Sequence, residues 1–319
     1  MVIKVYFNIK AVSSIYKTIL AIWVTVIGLL LNSCSATSYG SAIQVEDCTE
    51  LTTDGVYEPF EYKYASDSYR LAFGIGTCYN FSGKQTVVLF FVDDDESSWS
   101  KEDVLKFTNS KVLPSLDFLE KQAKEWGVEL SFEVKRFSTP LSDGTKFVYE
   151  GCVNKNLDAT GSTKDLPEQM SKILGYKNEI EFFNVMMDEY QSNSVIPIML
   201  LNKDGTAYAR KQLVGGDMGH IEHAVVFADG LGDINGSWRY VAHREATIAH
   251  EILHLFGAED YYINPKRLEL AEEHYIDDIM LLDTYDISRL KVGEMTAYYV
   301  GWTDEAPNIR YYDNWANEE

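Results

Sequence analysis

Histidine, cysteine and positive charge are all scarce in this 319-residue chain, and each shortage narrows what it does. Lys and Arg number 28 against 49 Asp and Glu, a formal charge of −21. Binding to nucleic-acid phosphates needs the opposite sign, which argues against nucleic acid as a partner. No apolar run reaches the roughly 20 residues that a membrane-spanning helix requires. Internal repeats and low-complexity tracts are also missing. What remains, 46% hydrophobic and 24% charged, suffices for one large core or two modest ones.

The longest apolar run, ILAIWVTVIGLLL at 19–31, follows Lys4, Lys10 and Lys17 and suits the h-region of an export signal. It ends in Leu31-Asn32-Ser33-Cys34, which resembles the lipobox of bacterial lipoproteins, where the cysteine is lipidated and becomes the new N-terminus. The resemblance implies a signal peptide over 1–33, a lipid on Cys34 and an extracytoplasmic protein anchored to a bacterial membrane. Ordinary signal cleavage and soluble secretion are the alternative. Cleavage removes three lysines and no acids, taking the charge from −21 to −24. Cys48, Cys78 and Cys152 then remain, so at most one disulfide forms, and the sequence leaves the pair open.

Residues 34–84 are weakly patterned and read as a tether followed by an accessory or pro-segment. From 85 to 257 the signals sharpen into an N-terminal subdomain, and 258–319 reads as a C-terminal subdomain. TVVLFFV (86–92), VELSFEVKRF (128–137), KFVYEGCV (146–153), SVIPIMLL (194–201) and HAVVFAD (223–229) read as strands. A helix starts with Ser100 and Asp103 as a capping pair, breaks at Pro114, resumes and stops at Gly127. Two helical patterns flank Gly175, and a further helix begins near Tyr240. The fold class is α+β, or α/β: a twisted mixed sheet with a long early helix and a late one.

All six histidines fall between 220 and 274, and one stretch, HREATIAHEILHLFGAEDYY (243–262), organises them. His250 and His254 lie one turn apart on a single helix face, so both imidazoles can reach a common atom. That arrangement suits zinc. Glu251, next to the first ligand, can reach a water at the metal without binding it, while Ile248, Ile252, Leu255 and Phe256 supply a buried face. Gly257 can take the left-handed turn that ends the helix, letting Asp260 approach as a third ligand and leaving a fourth position open, as in catalytic zinc sites. Two core histidines satisfied by hydrogen bonds are the bland alternative.

The run His250-Glu251-Ile252-Leu253-His254-Leu255-Phe256-Gly257-Ala258-Glu259-Asp260 resembles the HExxHxxGxxH/D signature of metzincin metallopeptidases, in particular the snapalysin-like subset with Asp as third ligand. The resemblance covers some 40 residues and implies a metzincin-like zincin fold and zinc-dependent hydrolysis of peptide bonds in a protein or peptide substrate. It casts Glu251 as proton carrier and Met280, in Asp277-Asp278-Ile279-Met280, as the methionine of a tight turn beneath the metal. Aspartate in place of the commoner third histidine lowers the positive charge of the site. Two other readings keep the metal: a gluzincin-type peptidase with Glu272 or Glu273 as third ligand, and a surface lipoprotein that holds zinc without cleaving.

Weaker signals surround this motif. Tyr261, Tyr262 and Tyr285 are candidate oxyanion donors, with Tyr261 and Tyr285 foremost, and His243 is either exposed or supports the ligands. HAVVFAD is either an edge strand for pairing with substrate or a plain buried one. Asp93-Asp94-Asp95-Glu96 offers oxygen ligands for calcium, but without the spacing and glycine of an EF-hand, so a solvated loop is the preferred reading. ADGLGDINGS (228–237) lacks the lysine of a phosphate loop and reads as a flexible turn.

Overall fold

In the computed structural model the described residues are 43–47, 77–78, 80–155, 163–211, 221–234, 237–241, 244–262, 265–282 and 286–305. The segment expected to be an export signal, Cys34, Cys48, His243 and Tyr285 lie outside them. No helix among the described residues is long and apolar enough to cross a membrane.

Seven strands among these residues form one sheet: β1 (Gln44–Asp47), β2 (Gly83–Val92), β3 (Leu130–Ser138), β4 (Ser194–Gly205), β5 (Tyr208–Arg210), β6 (His223–Ile234) and β7 (Ser237–Val241). The order is β1-β3-β2-β4-β6-β5, with β7 also paired to β6. The pairs from β1 through β6 are parallel, whereas β5 and β7 run antiparallel to β6. This is a mixed α and β fold with a mostly parallel sheet. Parallel sheets bury both faces, which is why β2 and β4 are continuous apolar runs.

Successive side chains point to opposite faces, and each face has its own core. Val87, Leu89, Phe91, Ile196, Ile198 and Val226 join one core, while Val88, Phe90, Val92, Met199, Val225 and Phe227 join the other. Over the first face pack α1 (Lys101–Phe107), α2 (Leu113–Glu125), α5 (Arg244–Leu255) and the C-terminal segment. The second face is covered by α3 (Leu166–Ile173) and α4 (Glu179–Tyr190). Two short helices, α6 (Pro265–His274) and α7 (Glu294–Tyr299), complete the described chain.

Several expectations need correction. The helix does not break at Pro114: a π-helical turn, Thr108–Val112, joins α1 to α2, and Pro114 sits in the first turn of α2. Pro114 lacks a backbone N–H, and the helix continues through it with the wider π turn just before it. Residues 146–153 form no strand, only an isolated bridge between Val148 and Asp93. Residues 228–234 are not a flexible turn but the end of β6, which pairs with β7; residues 235 and 236 lie outside the described ones. Tyr240 lies in β7, and the late helix begins at Arg244. Of the two readings of HAVVFAD the plain buried strand holds: it lies between β4 and β5, and β5 ends the sheet order.

Candidate metal centre

Every residue of α5 except Glu245 is buried. Half of its twelve residues are polar, so its burial depends on specific partners, and three contacts fix where it lies. Arg244 donates from Nη2 to the carbonyls of Gly205 (2.7 Å) and Asp229 (3.1 Å), tying the start of α5 to β4 and β6. Ser115 Oγ donates to the Glu245 carbonyl at 2.7 Å. At the other end Phe256 stacks on Phe81 with ring centroids 4.0 Å apart, and Phe81 stacks in turn on Trp302.

The helix stops as its sequence demands. Gly257 has φ +107°, which only glycine adopts cheaply. Gly257 N donates to the His254 carbonyl at 3.0 Å and Ala258 N to the Leu253 carbonyl at 3.1 Å, the paired bonds of a Schellman ending. The reversed chain brings Asp260 back to the helix face.

There the two imidazoles and the carboxylate meet. Asp260 Oδ1 lies 3.0 Å from His250 Nε2 and 3.1 Å from His254 Nε2, and the two Nε2 atoms are 3.1 Å apart. Tetrahedral ligands at zinc distances of about 2.0–2.1 Å are separated by about 3.3 Å, so this triangle fits one ion with little adjustment. Each ring is held from behind. His250 Nδ1 lies 3.0 Å from the Ile279 carbonyl and His254 Nδ1 lies 2.8 Å from that of Ala258. A carbonyl only accepts, so both Nδ1 atoms carry hydrogen, and in the neutral rings both Nε2 lone pairs face Asp260.

Electrostatics follow from this convergence. Burial alone would lower the His250 pKa, but the hydrogen bond and charge of Asp260 outweigh it and raise it to about 9. Burial likewise opposes ionisation of Asp260, yet the two histidines hold its carboxyl well below the usual carboxylate range. Glu251 is fully buried beside them; burial pushes its pKa up, against the pull of His250 and His254.

The triad opens into a cleft of ≈ 230 Å³ whose walls include Tyr208 and Ala209 of β5 and Ala207 just before it, with Lys211, Glu251 and Tyr262. Lys211 pairs with Glu259, bridging the end of β5 to the loop that carries Asp260. Of the candidate tyrosines, Tyr261 turns away: it is 1% exposed and its hydroxyl meets Thr296 Oγ1 at 2.9 Å. Tyr262 lines the cleft, with its ring near-parallel to that of His250 at 6.4 Å.

Met280 is buried in a tight turn, Leu281 N donating to the Asp278 carbonyl at 3.1 Å, and the turn touches the site through Ile279. Glu272 and Glu273 face solvent on α6, and neither joins the ligand triangle. The acidic run at 93–96 is occupied by the protein itself. Asp93 accepts from Trp99 N, while Asp94 accepts from Ser97 N, Val153 N and Lys203 Nζ. Cys78 and Cys152 are both free thiols. No protein-family model matches this chain, and no curated protein matches it significantly.

Proposed function

We propose that the chain is an exported, lipid-anchored zinc metallopeptidase of metzincin type. The observation that carries this reading is the convergence of His250 Nε2, His254 Nε2 and Asp260 Oδ1 within 3.1 Å, each imidazole fixed through Nδ1, with Glu251 buried in the same cleft. Zinc bound there would supply Lewis acidity toward a carbonyl oxygen and make a water more acidic.

The chain's own residues account for the rest. Glu251 accepts a proton from the attacking water on its carboxylate and returns it to the leaving amine nitrogen. Its upward-shifted pKa suits a group that must do both. Strand β5 ends the sheet order and forms one wall of the cleft, so an extended peptide can pair with it and lie across the site. Tyr262, in the wall of the cleft, is the tyrosine whose hydroxyl would stabilise negative charge developing on the substrate oxygen.

Elemental analysis of purified residues 35–319 tests the reading. One zinc per chain is expected, with sharp loss in Asp260→Ala. Peptide cleavage is expected to fall about 10²- to 10⁴-fold in Glu251→Gln while the zinc stays. Zinc retained by Asp260→Ala but lost from Glu273→Ala would favour the gluzincin reading; equal behaviour of wild type and Glu251→Gln would favour a protein that holds zinc without cleaving.

A further inference from the structure

Behind the ligand triangle lies a carboxylate with no place in the proposed chemistry. Asp278 is 0% exposed. Its Oδ1 accepts from Met280 N at 2.8 Å and its Oδ2 from Gly293 N at 2.9 Å, while Thr296 Oγ1 lies 2.8 and 3.0 Å from the two oxygens. A buried carboxylate so surrounded is costly to remove, because each donor would lose its partner. Burial is the chief cause that lifts its pKa, to about 6.

The partners lead to two of the three ligands. Met280 N belongs to the turn whose Ile279 carbonyl holds His250 Nδ1. Thr296, gripped by Asp278, meets the hydroxyl of Tyr261, the residue directly after Asp260, and Tyr261 N donates to the Met280 carbonyl at 3.1 Å. His250 and the chain beside Asp260 are thus fastened to one buried group. A second observation agrees: a Cβ on Gly293 would lie 2.5 Å from Asp278 Oδ2, so only glycine lets the carboxylate reach that backbone N–H.

We infer that Asp278 is the positioning residue of the metal centre, setting His250 through the Ile279 carbonyl and Asp260 through Thr296 and Tyr261. This rests on the metal reading of the site. Asp278 touches neither ion nor substrate. It acts by fixing the angle at which two ligands approach, and such outer partners typically contribute 10- to 100-fold in metal affinity.

The test uses zinc affinity by chelator competition and the visible spectrum of the cobalt(II)-loaded protein, for wild type, Asp278→Asn and Thr296→Val, with circular dichroism as the control for folding. Asp278→Asn is expected to weaken zinc at least 10-fold and to shift the cobalt bands, which report ligand geometry rather than global stability. Thr296→Val, which removes the hydroxyl between Asp278 and Tyr261 but leaves the bonds from Met280 N and Gly293 N to the carboxylate, is expected to do so less. Folded variants with wild-type affinity and unchanged cobalt spectra would overturn the inference. Should Asp278→Asn fail to fold, Thr296→Val alone decides, and an unaltered spectrum there overturns it. A wild type that takes up neither metal sinks the metal reading, and this inference with it, before any variant is compared. A wild type that loads metal yet cleaves nothing sinks only the peptidase reading.

Discussion

His254 donates its Nδ1 proton to the carbonyl of Ala258, four residues further along the chain and 2.8 Å away. The ligand's orientation therefore depends on how the helix ends.

Gly257, with φ +107°, makes that ending possible. Gly257→Ala forces a side chain into left-handed backbone, costing about 1–2 kcal/mol, and swings the Ala258 carbonyl away from His254. Thermal melts and zinc competition are expected to show both a lower melting temperature and weaker metal binding; loss of stability with unchanged affinity would show that the two are separable.

Tyr262 is 48% exposed and lines the cleft, whereas Tyr261 is buried. Tyr262→Phe is expected to lower kcat by about 10²-fold, the usual effect of deleting one oxyanion donor, with KM little changed. Steady-state kinetics on any cleaved peptide decides it, and an unchanged kcat rules the hydroxyl out.

Away from the site, Glu222 is buried beside Cys78, whose N–H donates to it at 3.2 Å. Burial raises the Glu222 pKa to about 7. Because the folded value lies above the unfolded one, this group's contribution is most favourable below about pH 4.5 and is lost as pH rises through 7. By linkage the difference reaches about 3 kcal/mol at pH 8. Glu222→Gln is expected to be more stable than wild type in urea titrations at pH 8, with the gap closing near pH 4.5. A gap independent of pH would assign the effect to packing.

Phe81 stacks between Phe256 and Trp302 and is 1% exposed. Phe81→Ala is expected to cost about 3–5 kcal/mol by urea denaturation, since the rings on either side cannot collapse into the space. A cost below about 1 kcal/mol would mean that the last turn of α5 is anchored elsewhere.

Legibility in the sequence follows burial and periodicity. The central strands can be read because both faces are buried: 86–92 lies within β2 and 194–201 within β4. The pairing of His250, His254 and Asp260 is readable because helix spacing and one glycine determine it. Strand β5 has only three residues and no period of its own, and β7 depends on pairing with β6, so both escape local patterns. Tyr261 and Tyr262 sit in irregular chain, where no periodicity tells which one faces inward. Asp278 reads as one more acid among 49 Asp and Glu; its partners Gly293 and Thr296 are 15 and 18 residues away, and only folding brings them together.

Strand β1 pairs with β3 at one end of the sheet order, and β5 stands at the other beside the cleft. Five strand spacings separate them, about 24 Å. A strand added along β5 would therefore lengthen the sheet at the end away from β1, and the metal triangle would border that new seam instead of the middle of the sheet.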